Sequence, residues 1–352
     1  MAMLGTKSKL SSIGLDVDAH EFRAVQLMES GDELRLIASA IFPRRESHET
    51  RDPDALPSVD ELEWATAILG RRGFVGTNAS ITLPTAQCSS HIFELPPASS
   101  GAPVEQLAKI EVARSRKCAP TEIELGLWEL PAKGRTQETL AVAFPKALID
   151  HAMERYDESG LTLAGIDLLE LAVSRGAHAG SAIADNEINA TLHVGWTCSL
   201  AVLTLGKTVI YVRRIEHGVD SVWQAARERY KLSEQSADAV VEGRYRQDCS
   251  KGSARLMRAT WTKLAASLAA ELDVAVAYVS HSFRMAPFGK IHLSGYGSTN
   301  PMIDEHIDKL LGIPIECAAP PSLMGALGQG PQAWAMASRL SAAYGLAARV
   351  DQ

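Results

Sequence analysis

The chain has 352 residues, 46% of them hydrophobic and 22% charged, a composition typical of a globular protein with about two domains of roughly 150 residues each. Its formal net charge of -7 argues against nucleic acid as the main partner, because no basic excess is available to neutralise a phosphate backbone. Five cysteines without CxxC spacing and an N-terminus without an apolar signal run predict a cytoplasmic protein with reduced thiols and neither a disulfide framework nor a zinc site.

The first elements alternate between strand and helix patterns. The segments "SIGLDV", "FRAVQLM" and "LRLIASAIF" predict a three-stranded antiparallel meander. The segment "VDELEWATAILGRRG" has apolar residues at helical spacing, and "NASITLP" predicts a short strand after it. We assign residues 12–84 to a first lobe.

The pattern changes at residue 85. Strand patterns ("HIFELPP", "IELGLWEL", "TLAVAFP") alternate here with helix patterns over residues 104–117 and 146–156. We therefore predict a small inserted α/β subdomain over residues 85–163. Residues 164–186, with the helical segment "IDLLELAVSRGA", are predicted to lead back to the first lobe.

The second half of the chain begins like the first. The segment "INATLHVGWTCSLAVLTLGKTVIYVRRI" predicts strand, turn, strand, turn, strand, and an offset of 177 positions aligns Val17 with Val194 and Ala24 with Ala201. The same order of elements at both ends of this offset indicates two related halves. Residues 187–322 are assigned to a second lobe.

The rest of the second half predicts helices around one more strand unit. Residues 256–284 form a long helix pattern, and "KIHLSGYGSTNPMIDEHIDKLLGIPIE" predicts strand, glycine turn, helix and strand, with Asn300 as the helix N-cap. Residues 323–352 are predicted to form a glycine-rich linker and one final helix that returns to the first lobe. The whole pattern favours an α/β fold of two lobes around a cleft.

Three turns carry a resemblance to a known family. The turns "LDVD" and "LHVG", followed by "LSGYGSTNPMIDEHIDKLLGIPIE", occur in the order seen in actin-like ATPases. Within that superfamily the chain resembles the PilM type IV pilus assembly proteins and is similar also to the FtsA cell-division proteins, over nearly its whole length. The resemblance implies a two-lobed actin-like fold, which is a duplicated ribonuclease H-like fold, with a 1C-like subdomain inserted after "ITLP".

The same resemblance implies where a nucleotide would bind, and all three turns depart from the family pattern. The first turn keeps Asp16 but has Asp18 where PilM-like proteins have glycine, so a carboxylate stands where phosphate oxygens would approach. The second turn has His193 at the acidic position, and the third has Tyr296 at its middle glycine. The nucleotide-binding candidates, all in eroded loops, are Asp16, Asp18, His20, His193, Gly195, Trp196, Thr197, Gly295, Tyr296 and Gly297.

The function that this resemblance implies is that of a scaffold. We predict a cytoplasmic PilM-like protein of a type IV pilus or related secretion machine, held at the inner membrane by a PilN-like partner. A short N-terminal cytoplasmic peptide of that partner would lie in a groove between "NASITLP" and "TAQCSSHIFELPP". Other platform subunits are further partners that the resemblance implies, and a homo-oligomer stays open.

Catalysis is not expected, and we predict weak or lost ATP binding. Asp16 is the one candidate magnesium ligand left in register, and His193 is a poor one. The alternative is an active ATPase in which Asp18 and Glu21 bind magnesium and the nucleotide state gates partner binding. A sugar-kinase-like phosphotransferase has less support, because no base for a hydroxyl acceptor is in register.

Overall fold

The structure is a computed structural model that describes residues 9–31, 33–45, 52, 55–96, 100–131, 138–242 and 251–349. Its strands are β1 (Lys9–Leu10), β2 (Ile13–Val17), β3 (Glu21–Ser30), β4 (Glu33–Pro43), β5 (Asn78–Thr82), β6 (Ser89–Glu94), β7 (Ile123–Glu129), β8 (Glu138–Pro145), β9 (Thr162–Asp167), β10 (Ile188–Val194), β11 (Ser199–Leu205), β12 (Thr208–Ile215), β13 (Phe288–Gly295) and β14 (Ile315–Cys317). Its helices are α1 (Val59–Arg71), α2 (Val104–Arg116), α3 (Lys146–Glu158), α4 (Leu169–Ala177), α5 (Asp220–Gln224), α6 (Glu234–Val241), α7 (Lys251–Ser282), α8 (Pro301–Leu311), α9 (Pro321–Leu327), α10 (Pro331–Arg339) and α11 (Ser341–Ala347).

Two sheets with the same strand order form the two lobes. In the first, β4, β3 and β2 are antiparallel neighbours, and β5 and β9 continue the sheet parallel to β2, while the short β1 pairs with the end of β3. In the second, β12, β11 and β10 are antiparallel neighbours, and β13 and β14 continue it in parallel. This repetition confirms the two-lobed α/β architecture predicted from the sequence.

The strand register shows how closely the two halves correspond. Asp16 pairs with Arg23 in the first sheet, and His193 pairs with Leu200 in the second. Both members of the second pair lie 177 positions after those of the first, which is the offset found in the sequence. Position 23 is therefore occupied by arginine in one half and by leucine in the other.

The inserted subdomain is a three-stranded antiparallel sheet in the order β6-β8-β7. On one face its Ala141 and Ala143 pack with Val112 and Ala113 of α2. On the other face, Leu140 belongs to the core of the second lobe, whereas other β8 residues belong to the core of the first. The insertion therefore packs on both lobes.

The last part of the predicted insertion, residues 146–163, also packs on the first lobe. Helix α3 buries Leu148, Ala152 and Tyr156 in the core of the first lobe, and β9 pairs in parallel with β5 of the first sheet. The strand β9 was missed in the sequence, where its residues "TLAGID" were divided between the insertion and the following helix. The boundary of the insertion at residue 163 stays a prediction.

The C-terminal segment contains three helices where a linker and a single helix were predicted. Part of the predicted linker is helix α9, and the predicted final helix is divided at Leu340 into α10 and α11. Helix α11 packs against β2, β3 and α4. Gly176 of α4 lies so close to α11 that a β-carbon there would collide with the Ser341 carbonyl, so the two helices cross almost in backbone contact.

Helix α7 is the long helix predicted for residues 256–284. Its stripe of Leu264, Leu268, Leu272 and Val276 is buried in the core of the second lobe. Within it, residues Arg258–Ser282 are long and apolar enough to cross a membrane by length and composition alone, and 44% of an apolar 18-residue window in this stretch is buried inside the molecule.

Candidate functional site

The three turns singled out in the sequence meet in the cleft between the lobes. The first follows β2, the second follows β10 and the third follows β13, so each lies at the carboxyl end of a strand. Strands β10 and β13 are direct neighbours, and β2 enters from the other lobe. Clefts at such strand ends are where open α/β sheets bind ligands.

Asp18 is bound by its own turn. Its carboxylate Oδ1 accepts hydrogen bonds from the backbone N–H groups of His20 (2.7 Å) and Glu21 (3.0 Å), and its Oδ2 accepts one from Arg23 (2.7 Å). Burial raises the pKa of Asp18, but Arg23, His20 and the two backbone donors together outweigh it, so the pKa lies below its usual value. Backbone N–H groups in such turns are the donors that phosphate oxygens use, and here a side chain of the protein uses them.

Arg23 extends between the carboxylates of the first turn. Its buried guanidinium lies 2.9 Å from Asp16, 2.7 Å from Asp18 and 3.6 Å from Glu21. The contact with Asp16 is an ion pair rather than an aligned hydrogen bond. Burial, aided by Asp18 and Glu21, raises the pKa of Asp16 against the opposing effect of Arg23. The candidate magnesium ligand therefore already has a cationic partner.

Aromatic rings join the three turns. The His20 ring stacks on Trp196 with ring centres 3.8 Å apart and planes within 4° of parallel. Tyr296 meets Trp196 edge-on at 5.5 Å, and its ring lies 5.1 Å from the guanidinium of Arg339. Trp196 is 4% exposed and Tyr296 1%. Three rings, one from each turn, thus pack against one another and fill the cleft with protein.

The Nδ1 atom of His193 is engaged by a hydroxyl group of the second lobe. Its Nδ1 lies 2.8 Å from the Ser294 hydroxyl, which in turn lies 2.7 Å from the Ser341 hydroxyl. Burial and the nearby Arg23 lower the pKa of His193 to about 3, so the ring is neutral at physiological pH. The acidic position of the second turn therefore has neither negative charge nor a free oxygen ligand.

Further contacts tie the lobes together around the turns. Arg339 at the end of α10 forms ion pairs with Glu21 of the first lobe and with Glu242, the latter at 3.3 Å. The Thr85 hydroxyl lies 3.6 Å from the Cys198 thiol of the second turn. Ala19 of the first turn is buried within the core of the second lobe.

Little open space is left in the cleft. The cavity lined by Asp16, Arg23, Tyr156, His193 and Trp196 has a volume of about 80 Å³. Ligand sites for molecules of nucleotide size have volumes of about 300–1,000 Å³. A more open cavity of about 390 Å³ lies beyond the third turn, and none of the ten candidate residues lines it. In the described part of the chain, no three His, Cys, Asp or Glu side chains are placed to hold a metal ion together.

The structure brings most of the ten nucleotide-binding candidates together in the cleft, and the remaining ones belong to the backbone of the third turn. Thr197 lines the small cavity beside Gly195. Gly295 and Gly297 have positive φ angles of 81° and 63°, which set the backbone path of the third turn. A role of these residues in nucleotide binding stays a prediction.

Sequence reasoning missed the two arginines that organise the site. Arg23 lies in a strand whose residues 22–27 are apolar except for Arg23 itself and Gln26. Its counterpart in the second half of the chain is Leu200. That mismatch was a usable signal for a buried charge. Arg339 gave none, because its partner Glu21 is more than 300 residues away in the chain.

Comparisons with known proteins agree with this architecture. The family model described as "Type IV pilus assembly protein PilM" matches residues 14–351. A solved "PilM-PilN type IV pilus biogenesis complex" is similar over 96% of this chain and 97% of that chain, with 17% identity and a TM-score of 0.75. The ethanolamine utilization protein EutJ from Carboxydothermus hydrogenoformans is similar over 95% of this chain and 89% of that chain, with 11% identity and a TM-score of 0.52. No curated protein sequence matches the chain.

Proposed function

The chain belongs to the family of type IV pilus assembly proteins PilM, and from this premise we propose that it is a scaffold whose nucleotide cleft is filled by its own side chains. It acts in the cytoplasm as a part of a type IV pilus or related secretion machine. A PilN-like inner-membrane protein holds it at the membrane, and ATP is bound weakly or not at all.

One observation carries this proposal, namely the position of Asp18 and Arg23. The Asp18 carboxylate accepts hydrogen bonds from the backbone N–H groups of the first turn, as a phosphate oxygen would. The Arg23 guanidinium lies beside Asp16, as a metal ion would. Nucleotide could enter only after both groups had moved. Breaking a buried ion pair costs about 3–5 kcal/mol, which would be subtracted from the free energy of ATP binding.

The aromatic contacts add to this cost. Phosphates placed between the first and second turns would separate His20 from Trp196, and aromatic pairs of this kind contribute about 0.5–1.5 kcal/mol beyond the apolar area they bury. The three turns, which in an actin-like ATPase would hold the lobes together through nucleotide, are here in direct contact. The cleft is therefore closed by contacts between side chains of the chain itself.

The partner site proposed here is the groove between β5 and the inserted sheet. The solved relative is a complex of PilM with PilN, which supports a PilN-like partner for this chain. Residues Leu83 to Thr85, which follow β5, line the small cavity of the cleft, and Arg116 of α2 donates to Ser89 of β6 at 2.8 Å. A peptide bound in this groove would thus lie beside the filled cleft.

The experiment that tests the proposal measures partner binding with and without nucleotide. The probe is a synthetic N-terminal cytoplasmic peptide of a PilN-like protein, titrated into the full chain by calorimetry. A scaffold with a filled cleft binds the peptide with the same affinity, within about twofold, whether or not millimolar ATP and magnesium are present. A tenfold change on adding ATP would favour the nucleotide-gated alternative, and absence of peptide binding would contradict the proposed partner.

A further inference from the structure

A second cavity lies outside the cleft, at the carboxyl ends of β13 and β14. Its volume is about 390 Å³, and its lining comes from these strands, the third turn, the first turn of α8 and the first turn of α10. Cavities that bind small molecules have volumes of about 300–1,000 Å³, and the carboxyl ends of parallel strands are where α/β sheets bind ligands. Both its size and its position therefore suit a ligand site.

The lining of this cavity combines a carboxylate with an aromatic ring. Asp304 of α8 and Trp334 of α10 contribute to it, together with the hydroxyl groups of Ser298 and Thr299. Trp334 is 38% exposed, although large aromatic side chains are mostly buried in folded proteins. Among the described residues, no lysine, arginine or histidine lines the cavity. Its lining is thus negatively charged and partly aromatic.

The charge of Asp304 is not compensated by its surroundings. Burial raises the pKa of Asp304, and the nearby Asp308 raises it further, while no cation of the described residues opposes these two effects. The neighbouring Glu305, by contrast, lies 4.0 Å from the guanidinium of Arg258. A ligand that brings a positive charge to Asp304 would therefore be favoured by electrostatics.

An anionic ligand does not fit the same helix end. Pro301, the first residue of α8, has no N–H group. The N–H of Met302 donates to the Asn300 side chain at 3.0 Å, and that of Ile303 donates to the Asn300 carbonyl at 3.0 Å. These are the groups with which the N-terminus of a helix binds phosphate, and here they are already used. The Asp304 carboxylate would in addition repel a phosphate.

We propose that this cavity binds a guanidinium group, either of a small guanidino compound or of an arginine side chain on a protein partner. A guanidinium is planar and weakly hydrated, pairs with a carboxylate through two N–H groups and stacks on aromatic rings. Asp304 and Trp334 supply these two kinds of contact. The hydroxyl oxygens of Ser298 and Thr299 are acceptors for its other N–H groups, and Ile315 adds apolar surface for an alkyl stem.

A ligand in this cavity would contact the helix that reaches the cleft. The cavity includes Pro331 and Trp334 in the first turn of α10, and the last residue of α10 is Arg339, which pairs with Glu21 of the first lobe. One helix thus joins the cavity to the cleft. The inference does not depend on the proposed function, because the cavity lies outside the nucleotide turns that the scaffold proposal concerns.

The experiment is a calorimetric titration of the full chain at physiological ionic strength. N-acetylarginine amide should bind with a Kd of about 1 mM or tighter, and the matching citrulline amide, which has a similar shape but no charge, should bind about tenfold more weakly or worse. Propylguanidinium carries the same group without a peptide backbone. Tighter binding of propylguanidinium would support a small compound as the natural ligand, and tighter binding of the arginine amide would support an arginine of a protein.

Variants of the chain locate the bound group. Asp304→Asn should weaken binding of the arginine amide by about tenfold, and Trp334→Leu should weaken it by about two- to fivefold. The matched control is Asp308→Asn, which removes an exposed carboxylate of the same helix that does not line the cavity. This control should change the affinity by less than about twofold, because salt screens exposed charges.

Four results would overturn the proposal. One is no binding heat with either guanidinium compound at about 10 mM, which is tenfold above the expected Kd. Another is equal binding of the arginine and citrulline amides, a comparison that needs no variant and so does not depend on how well the variants fold. The third is an equal loss in Asp304→Asn and Asp308→Asn, which would indicate a generally acidic surface. The fourth is tighter binding of adenosine than of either guanidinium compound.

Discussion

Replacement of Arg23 by leucine, the residue at the equivalent position of the second half, tests the energetics of the filled cleft. The Arg23 side chain is 2% exposed and lies within 3 Å of both Asp16 and Asp18. Its removal takes from the buried Asp16 and the partly buried Asp18 the guanidinium that they share, and breaking a buried ion pair in this way costs about 3–5 kcal/mol. Protonation of Asp16, whose pKa is already raised, would relieve a part of this cost.

We therefore expect Arg23→Leu to lower the free energy of unfolding by about 3–5 kcal/mol at pH 7, measured by urea denaturation followed by tryptophan fluorescence. The matched control is Arg213→Leu, which removes a half-exposed arginine paired with Glu271 and should cost no more than about 1 kcal/mol. Changing Asp18 to asparagine in the Arg23→Leu background should recover a part of the loss, since one uncompensated charge is removed. If Arg23→Leu costs no more than its control, the buried charge cluster does not have the importance assigned to it here.

Two further predictions concern the third turn and the response to acid. Gly297→Ala should destabilise the fold by about 1–3 kcal/mol more than Gly312→Ala. Both glycines have positive φ, but of the two only Gly297 would place a β-carbon against another side chain, 2.7 Å from the Trp261 ring. Equal unfolding midpoints of the two variants in urea would contradict this prediction. The pKa values of three buried histidines are lowered in the folded chain, so the unfolded chain binds more protons below pH 6.5. The free energy of unfolding should therefore fall from pH 6.5 down to pH 3–4 by up to about 1.4 kcal/mol per pH unit for each histidine. His292→Gln should make this fall less steep, and an unchanged slope in urea denaturation would refute the assignment. The histidines are His178, His193 and His292.

The duplicated architecture could be predicted because each half repeats a pattern of strands that depends on local alternation and turn residues. The offset that aligns Val17 with Val194 also reproduces the strand register of the structure. The packing of helix α3 could not be found in this way. Helix α3 is amphipathic whichever lobe it covers, and only the tertiary contacts of Tyr156 and its neighbours show that it packs on the first lobe.

The candidate site was located by the sequence but its chemistry was only partly foreseen. Asp18 was recognised as a carboxylate in a phosphate turn, and repulsion of a phosphate was the expected effect. The hydrogen bonds that the Asp18 carboxylate accepts from the backbone of the first turn and from Arg23 depend on side-chain geometry that residue spacing does not give. The stack of His20 on Trp196 joins residues more than 170 positions apart in the chain and is equally invisible to local patterns.

The measurement that tests the central claim most directly is a calorimetric titration of the nucleotide-free natural chain with ATP and magnesium. A cleft filled by Asp18 and Arg23 predicts no binding heat up to millimolar ATP, that is, a binding free energy weaker than about -4 kcal/mol. The Asp18→Gly, His193→Asp double variant should bind more tightly, because the N–H groups of His20 and Glu21 become free and an oxygen ligand is restored. Binding by the natural chain in the micromolar range, about -8 kcal/mol, would show that the cleft opens readily and would contradict this account.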